Sequence, residues 1–236
     1  MAGPGGRRGG AGLPPWRDGL PRLAGGAEDR FPGYDVLNQL DTWDDVTAAV
    51  VVARLAPCGP LQFFTVSEER AGRALADRLL AQEDEPRVPV LEMIDARLAA
   101  GQTDGWHYDN LPTDALAWRV SLVALDEDAR EFYQHGFGEL DIDTQKELLE
   151  TIRTTEDDWR GLPATRVWGL WMRYACAAFY AHPWAWNEIG FGGPAYPRGY
   201  KNAGLDKREP WEVAEHDAIN PVAWGARLEA ARERHR

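Results

Sequence analysis

The spacing of apolar residues along the chain predicts an all-α protein. In six segments, apolar residues recur three and four positions apart, which is typical of amphipathic helices. The predicted helices cover residues 42–55, 67–82, 89–101, 113–133, 143–153 and 163–181. One apolar run, residues 61–64, resembles a strand, but no second segment alternates convincingly enough to pair with it. We therefore expect an irregular helical domain of about six helices.

Two of these helices carry a prediction about packing. In the segment 113–133, Leu116, Val120, Val123 and Ala124 are predicted to form one apolar face. The segment 163–181 is apolar almost all round, so we expect it to be the most buried helix.

The stretch YAHPWAWNEIGFGGPAYPRGY, residues 180–200, differs from the rest of the chain. It is dense in Trp and Tyr, it holds three Pro and four Gly, and its only charged residues are Glu188 and Arg198. This composition is too irregular for a helix and too rigid for a flexible linker, so an extended aromatic arm is predicted. Aromatic residues and Arg dominate the anchors of protein interfaces, and Pro lowers the entropy cost of ordering. We interpret the arm as a partner interface; the alternative is that it folds back and fills a gap between its own helices.

The predicted interface residues fall into three groups. Aromatic side chains and one proline would contact the partner, Arg198 would donate to its carboxylates or carbonyls, and three polar side chains would hold the arm in shape. They are Trp184, Trp186, Phe191, Tyr196, Pro197 and Tyr200, then Arg198, then His182, Asn187 and Glu188.

Composition divides the chain into three parts. Residues 1–30 are rich in Gly, Pro and Arg and are expected to be a disordered arm. Residues 31–182 form the predicted helical domain, and residues 183–236 form the aromatic arm with a C-terminal tail.

The charge of the chain argues against nucleic acid as a partner. The net charge is −12, and because the first thirty residues contribute +2, the remainder carries −14. An acidic body repels phosphate.

Arg7 and Arg8 are not followed by the apolar segment that a twin-arginine signal needs, and no run approaches the ~20 apolar residues of a membrane helix. These features predict a cytoplasmic protein that does not insert into a membrane.

Motifs of catalysis are missing from the sequence. There is no GxGxxG after a predicted strand, no P-loop and no GxSxG, so no catalytic, cofactor-binding or metal-binding residue is assigned. Asp141 and Asp143 fit N-capping of a helix better than an acid/base pair. Cys58 and Cys176 form no CxxC and are interpreted as reduced thiols. The alternative is a small metal-dependent enzyme that uses His182 and Glu188, which a tight loop could bring together.

The arm and the region before it resemble a known family. FYAHPWAWNEIGFGGPAYPRGY, together with LDEDAREFYQHGFGELDIDTQKELLETI, is similar to the gluconate 2-dehydrogenase subunit 3 family. The resemblance covers roughly residues 63–200 and is weakest before residue 113.

The resemblance implies an accessory role. In that family an α-helical small subunit binds and stabilises a large FAD-dependent oxidoreductase of the glucose-methanol-choline type, which acts on sugars, sugar acids or glycosides. The FAD and the catalytic residues belong to the large subunit, and a cytochrome c subunit often accepts the electrons. A third hypothesis is a chaperone that binds the flavoprotein only while it matures.

Overall fold

The computed structural model describes residues 31, 34–83, 85, 87–202, 204 and 207–213. Within this part, seven α-helices and two 3₁₀ helices account for most of the structure, and a single two-stranded hairpin accompanies them. The prediction of an all-α fold is confirmed. The predicted N-terminal arm, residues 1–30, and the tail from residue 214 onward lie outside the described residues.

The elements follow one another with short connections. The helices are α1 (Asp45–Ala53), α2 (Val66–Leu79), α3 (Val90–Ala99), α4 (Asp114–Tyr133), α5 (Ile142–Thr154), α6 (Ala164–Phe179) and α7 (Pro183–Ile189). The 3₁₀ helices are Val36–Thr42 and Phe137–Glu139, and the strands are β1 (Asp158–Trp159) and β2 (Leu162–Pro163). The strands pair antiparallel, with Asp158 opposite Pro163 and Trp159 opposite Leu162. Among the described residues, no helix is both long enough and apolar enough to span a bilayer.

Side chains at the helix starts explain where several helices begin. Thr65 caps α2 in a capping box, in which Glu68 also accepts from the Thr65 backbone N–H at 2.7 Å. Asp141 caps α5 by accepting from the backbone N–H of Thr144 at 3.0 Å, as the N-capping interpretation predicted. Each cap satisfies backbone donors that have no partner within the helix.

The main hydrophobic core lies among α2, α3, α4, α5 and α6. Trp118, Trp171 and Tyr174 are among its largest fully buried side chains. Trp171 Nε1 donates to Ser121 Oγ at 2.9 Å, so the indole N–H is satisfied in the interior. Eight of the sixteen residues of α6 are buried, the same share as the five of ten in α3, so the prediction that α6 is the most buried helix is not confirmed.

The predicted apolar face of α4 is wrong in part, because Ala124 is buried and Val120 is half-buried but the other two residues are exposed. Leu116 and Val123 are 51% and 48% exposed, whereas the side of the helix that carries Ala117, Trp118 and Leu122 faces the core. Apolar residues occupy more than one side of α4, so helical periodicity alone did not identify the buried side.

A buried carboxylate fixes the strand-like run. Asp95 on α3 accepts hydrogen bonds from the backbone N–H groups of Gln62, Phe63 and Phe64 at 2.7, 2.9 and 2.9 Å. The carboxylate supplies the acceptors that a pairing strand would otherwise provide, so residues 61–64 form a loop.

A second, smaller hydrophobic cluster joins the two ends of the described chain. Its buried members are Val36, Leu37, Trp43, Val51 and Trp186. The N-terminal segment, residues 34–55, therefore packs directly on the aromatic arm.

Candidate partner-binding surface

The first part of the aromatic arm is helical, contrary to the extended conformation that the sequence predicted. Helix α7 has Pro183 at its first position and ends at Gly190, whose φ is +67°. Proline lacks an N–H, but the first residue of a helix has no acceptor for one, so proline favours a helix start. After Gly190 the chain is irregular and contains a cis peptide bond between Tyr196 and Pro197.

His182 is a buried cap of α7 rather than an exposed contact. Its Nδ1 accepts a hydrogen bond from the backbone N–H of Trp184 at 3.3 Å, and its side chain is 1% exposed. Burial lowers the pKa of His182 to about 4, and a hydrogen bond with the Arg54 backbone partly opposes this shift. The imidazole is therefore neutral at pH 7, as a capping acceptor requires.

Trp186 and Asn187 connect the arm to the N-terminal segment. The Trp186 ring is buried, its Nε1 donates to the Tyr180 carbonyl at 2.6 Å, and the Arg54 guanidinium lies 5.6 Å from the ring centroid. Asn187 Oδ1 accepts from the backbone N–H of Val36 at 2.7 Å. Both residues thus contact their own chain. For this part of the arm, the structure agrees with the alternative that the arm folds back onto the chain and fills a gap.

Arg198 is also occupied within the chain. Its guanidinium lies 3.8 Å from the ring centroid of Trp211 and 5.6 Å from that of Trp43. One terminal nitrogen donates to Thr42 Oγ1 at 2.8 Å, and the other donates to the Gly192 carbonyl. The Arg198 guanidinium therefore orders this end of the arm, because it stacks on aromatic rings and also donates hydrogen bonds in its own plane.

The other predicted residues lie closer to solvent. Trp184 and Glu188 are half-buried, and the Trp184 ring packs edge-on against His182 with 4.8 Å between centroids. Four predicted residues are exposed, together with two neighbours that the sequence did not single out. We call this set the arm surface: Phe191, Tyr196, Pro197 and Tyr200, with Tyr180 and Ile189.

A comparison with models of protein families shows which family the chain belongs to. A family model described as gluconate 2-dehydrogenase subunit 3 matches residues 67–193, more than half of the sequence. The chain belongs to this family. No curated protein and no solved structure matches it.

The family match covers α2 to α7 and the first residues of the irregular part of the arm. It agrees with the resemblance stated from residues 63–200. The N-terminal segment, including α1, precedes the match, so the residues that cover Trp186 lie outside the matched range.

The geometry around His182 does not favour a metal site. One ring nitrogen accepts from a backbone N–H, and the ring also bonds to the Arg54 backbone. Across the described residues, no group of three or more His, Cys, Asp and Glu side chains is placed to hold a metal ion. The arrangement at His182 serves the fold of the arm.

Sequence reasoning missed the residues that cover the arm. Trp43 Nε1 donates to the Pro194 carbonyl at 2.8 Å, and Arg54 donates to the Ala181 carbonyl at 2.7 Å. These partners are more than 120 residues apart in the chain, so no local pattern marked them.

Proposed function

We propose that this chain is a non-catalytic small subunit that binds and stabilises a large FAD-dependent dehydrogenase of sugars, sugar acids or glycosides. The observation that carries the proposal is the match to the gluconate 2-dehydrogenase subunit 3 family over α2 to α7. In this proposal the flavin and the catalytic groups belong to the large subunit, and a cytochrome c or another acceptor takes the electrons.

The arm surface supplies the contact in this proposal. Phe191, Tyr196 and Tyr200 combine large apolar area with few rotatable bonds, which favours binding at low entropy cost. The buried Trp186 packs edge-on against Phe191, and the half-buried Arg198 donates to the Gly192 carbonyl, so both order the segment that carries these rings.

The experiment that tests the proposal is purification of the tagged protein from its native cells. We expect a yellow complex that contains a large oxidoreductase and that reduces an artificial electron acceptor when a sugar or sugar acid is added. A colourless protein that elutes alone would overturn the proposal of a stable subunit. Fractionation of the same cells tests the expectation that the complex is cytoplasmic.

Two further measurements separate the alternatives. Gel filtration of the co-expressed pair distinguishes a stable subunit, which stays bound, from a maturation chaperone, which dissociates. Metal analysis of the pure protein tests the small-enzyme alternative, because a stoichiometric transition metal would count against a purely accessory role.

The arm surface is tested by removing two of its exposed rings. Tyr196→Ala with Tyr200→Ala should release the large subunit while the helical circular dichroism stays unchanged. Phe132→Ala on α4 is the matched control, since Phe132 is 62% exposed and Tyr196 67%. Equal release by the control, or none by the Tyr variant, would refute a role for the arm surface. Trp186 is unsuited to this test because it is buried.

A further inference from the structure

Helix α1 is apolar on two sides, and the described part of the chain covers only one of them. Val51 on the inner side is buried in the cluster around Trp186. On the outer side, Val46 and Val50 are 72% and 51% exposed, and Ala49 and Ala53 are exposed with them. These four residues are spaced i, i+3, i+4 and i+7, so they form one continuous stripe along the helix.

The stripe continues into a groove at the C-terminal end of α1. Ala53 belongs to both the stripe and the groove, which lies between residues 53–62 and α3 and has a volume of about 510 Å³. Its lining is mostly small and apolar and includes Ala56, Ala96, Ala99, Ala100, Met93 and Cys58. Small side chains allow the backbone of a second element to approach closely, which suits a helix better than a flexible small molecule.

The charges beside the stripe and the groove are predominantly acidic. Asp41, Asp44 and Asp45 lie at the start of α1. Glu92 lines the groove but is paired with Arg73 at 2.7 Å, so the three aspartates carry most of the acidic charge. Arg54 also lines the groove, but its guanidinium contacts the Ala181 carbonyl and the Trp186 ring. A segment that binds here is therefore favoured if Lys or Arg flanks its apolar face.

We propose that the outer stripe of α1 and the adjoining groove form a second docking surface, which binds an apolar helix of the large subunit flanked by basic residues. This inference rests on the proposed function, since it names a further contact with the same partner.

The first test replaces the two exposed valines with cations. Val46→Arg with Val50→Arg should lower the amount of co-purified flavin about tenfold or more, because buried charges meet the apolar face and the basic flanks of the partner. The matched control is Leu116→Arg with Val123→Arg on α4, where the exposed fractions are 51% and 48% and the flavin should stay unchanged. All four positions are exposed, so both variants should keep the wild-type circular dichroism.

The second test uses the native thiol in the groove. Alkylation of Cys58 should be about tenfold slower in the purified complex than in the free protein, because a bound helix excludes the reagent. Cys176 on α6 is the internal reference, and its rate should not change.

These tests separate a failure of the α1 docking surface from a failure of the proposed subunit role. If wild-type protein co-purifies with a flavoprotein but the α1 variant retains it and Cys58 reacts equally fast, the docking surface is refuted and the proposed function stands. If wild-type protein carries no flavoprotein, both are overturned. A pure protein that forms a dimer by light scattering, and a monomer in the α1 variant, would show that a second copy covers this face and would also overturn the inference.

Discussion

The buried imidazole of His182 should make the protein sensitive to mild acid. Its pKa is lowered from 6.5 to about 4 in the folded chain, so the unfolded chain binds a proton that the folded chain does not between these two values. The contribution of His182 to the free energy of unfolding is therefore complete above pH 6.5 and is lost as the pH falls toward 4. From the two pKa values, the loss between pH 7 and pH 5 amounts to about 2 kcal/mol.

The assay is urea unfolding at pH 7 and pH 5, followed by circular dichroism and tryptophan fluorescence. His182→Asn is the matched variant, since an Asn side chain still caps a helix N-terminus but does not titrate. The variant should start from a lower stability, because the ring fills buried space, but its stability should fall by about 2 kcal/mol less than that of the wild type over this pH range. Carboxylates titrate in both proteins and cancel in the comparison. Equal losses in the two proteins would refute the assignment of a depressed histidine pKa.

Three further substitutions test the contacts that shape the fold. Asp95→Ala leaves three backbone N–H groups without their acceptor and should lower the free energy of unfolding by about 3 kcal/mol in urea titrations. Arg198→Lys removes the paired donors and the planar stacking and should cost about 2 kcal/mol by the same measurement. Gly193→Ala should cost about 2 kcal/mol or more in thermal unfolding, since Gly193 has φ of +75° and a methyl group there would overlap the Trp43 ring.

Two of these substitutions, Asp95→Ala and Gly193→Ala, have a control in the same chain. Glu127→Ala on the exposed side of α4 should change the free energy of unfolding by less than about 0.5 kcal/mol. If Asp95→Ala changed it no more than Glu127→Ala, the role of Asp95 would be contradicted. Gly169→Ala within α6 has open space around its added methyl group and should stabilise by about 0.5 kcal/mol. If Gly193→Ala behaved like Gly169→Ala, the close approach to Trp43 would be refuted.

The sequence predicted the helices because their signal is local. Periodic apolar residues mark α1 to α6 within a few residues of their observed bounds. The exception is α7, where Pro183 and the nearby glycines were interpreted as helix breakers. A proline at the first helical position instead favours the start of a helix. The hydrogen bond from the Trp184 backbone N–H to His182 Nδ1 identifies Pro183 as a helix start rather than a helix breaker.

The candidate site was less predictable because burial depends on distant segments. The ten predicted interface residues stay a prediction as a set, but the structure divides them: Trp186 and Arg198 contact the chain's own N-terminal segment, whereas Phe191, Tyr196 and Tyr200 stay exposed. The residues that contact the chain and the residues that stay exposed are alike in type, since both groups consist of aromatic or basic residues from the same short stretch. Composition therefore located the unusual segment, and only long-range packing decided which of its residues face solvent.

The cover of the arm by the N-terminal segment has a consequence for synthesis. Val36 bonds to Asn187, and Trp43 bonds to Pro194, each across 151 positions. At typical translation rates these early residues wait roughly 10 to 30 seconds on the ribosome before their partners are made. During that time they can pack only on their neighbours in residues 34–55, and they lack the cover that Trp186 and the Pro194 carbonyl supply later. The newborn chain therefore leaves part of the apolar surface around Trp43 uncovered for most of its synthesis, and a chaperone that bound there would protect it until residues 186–194 are made.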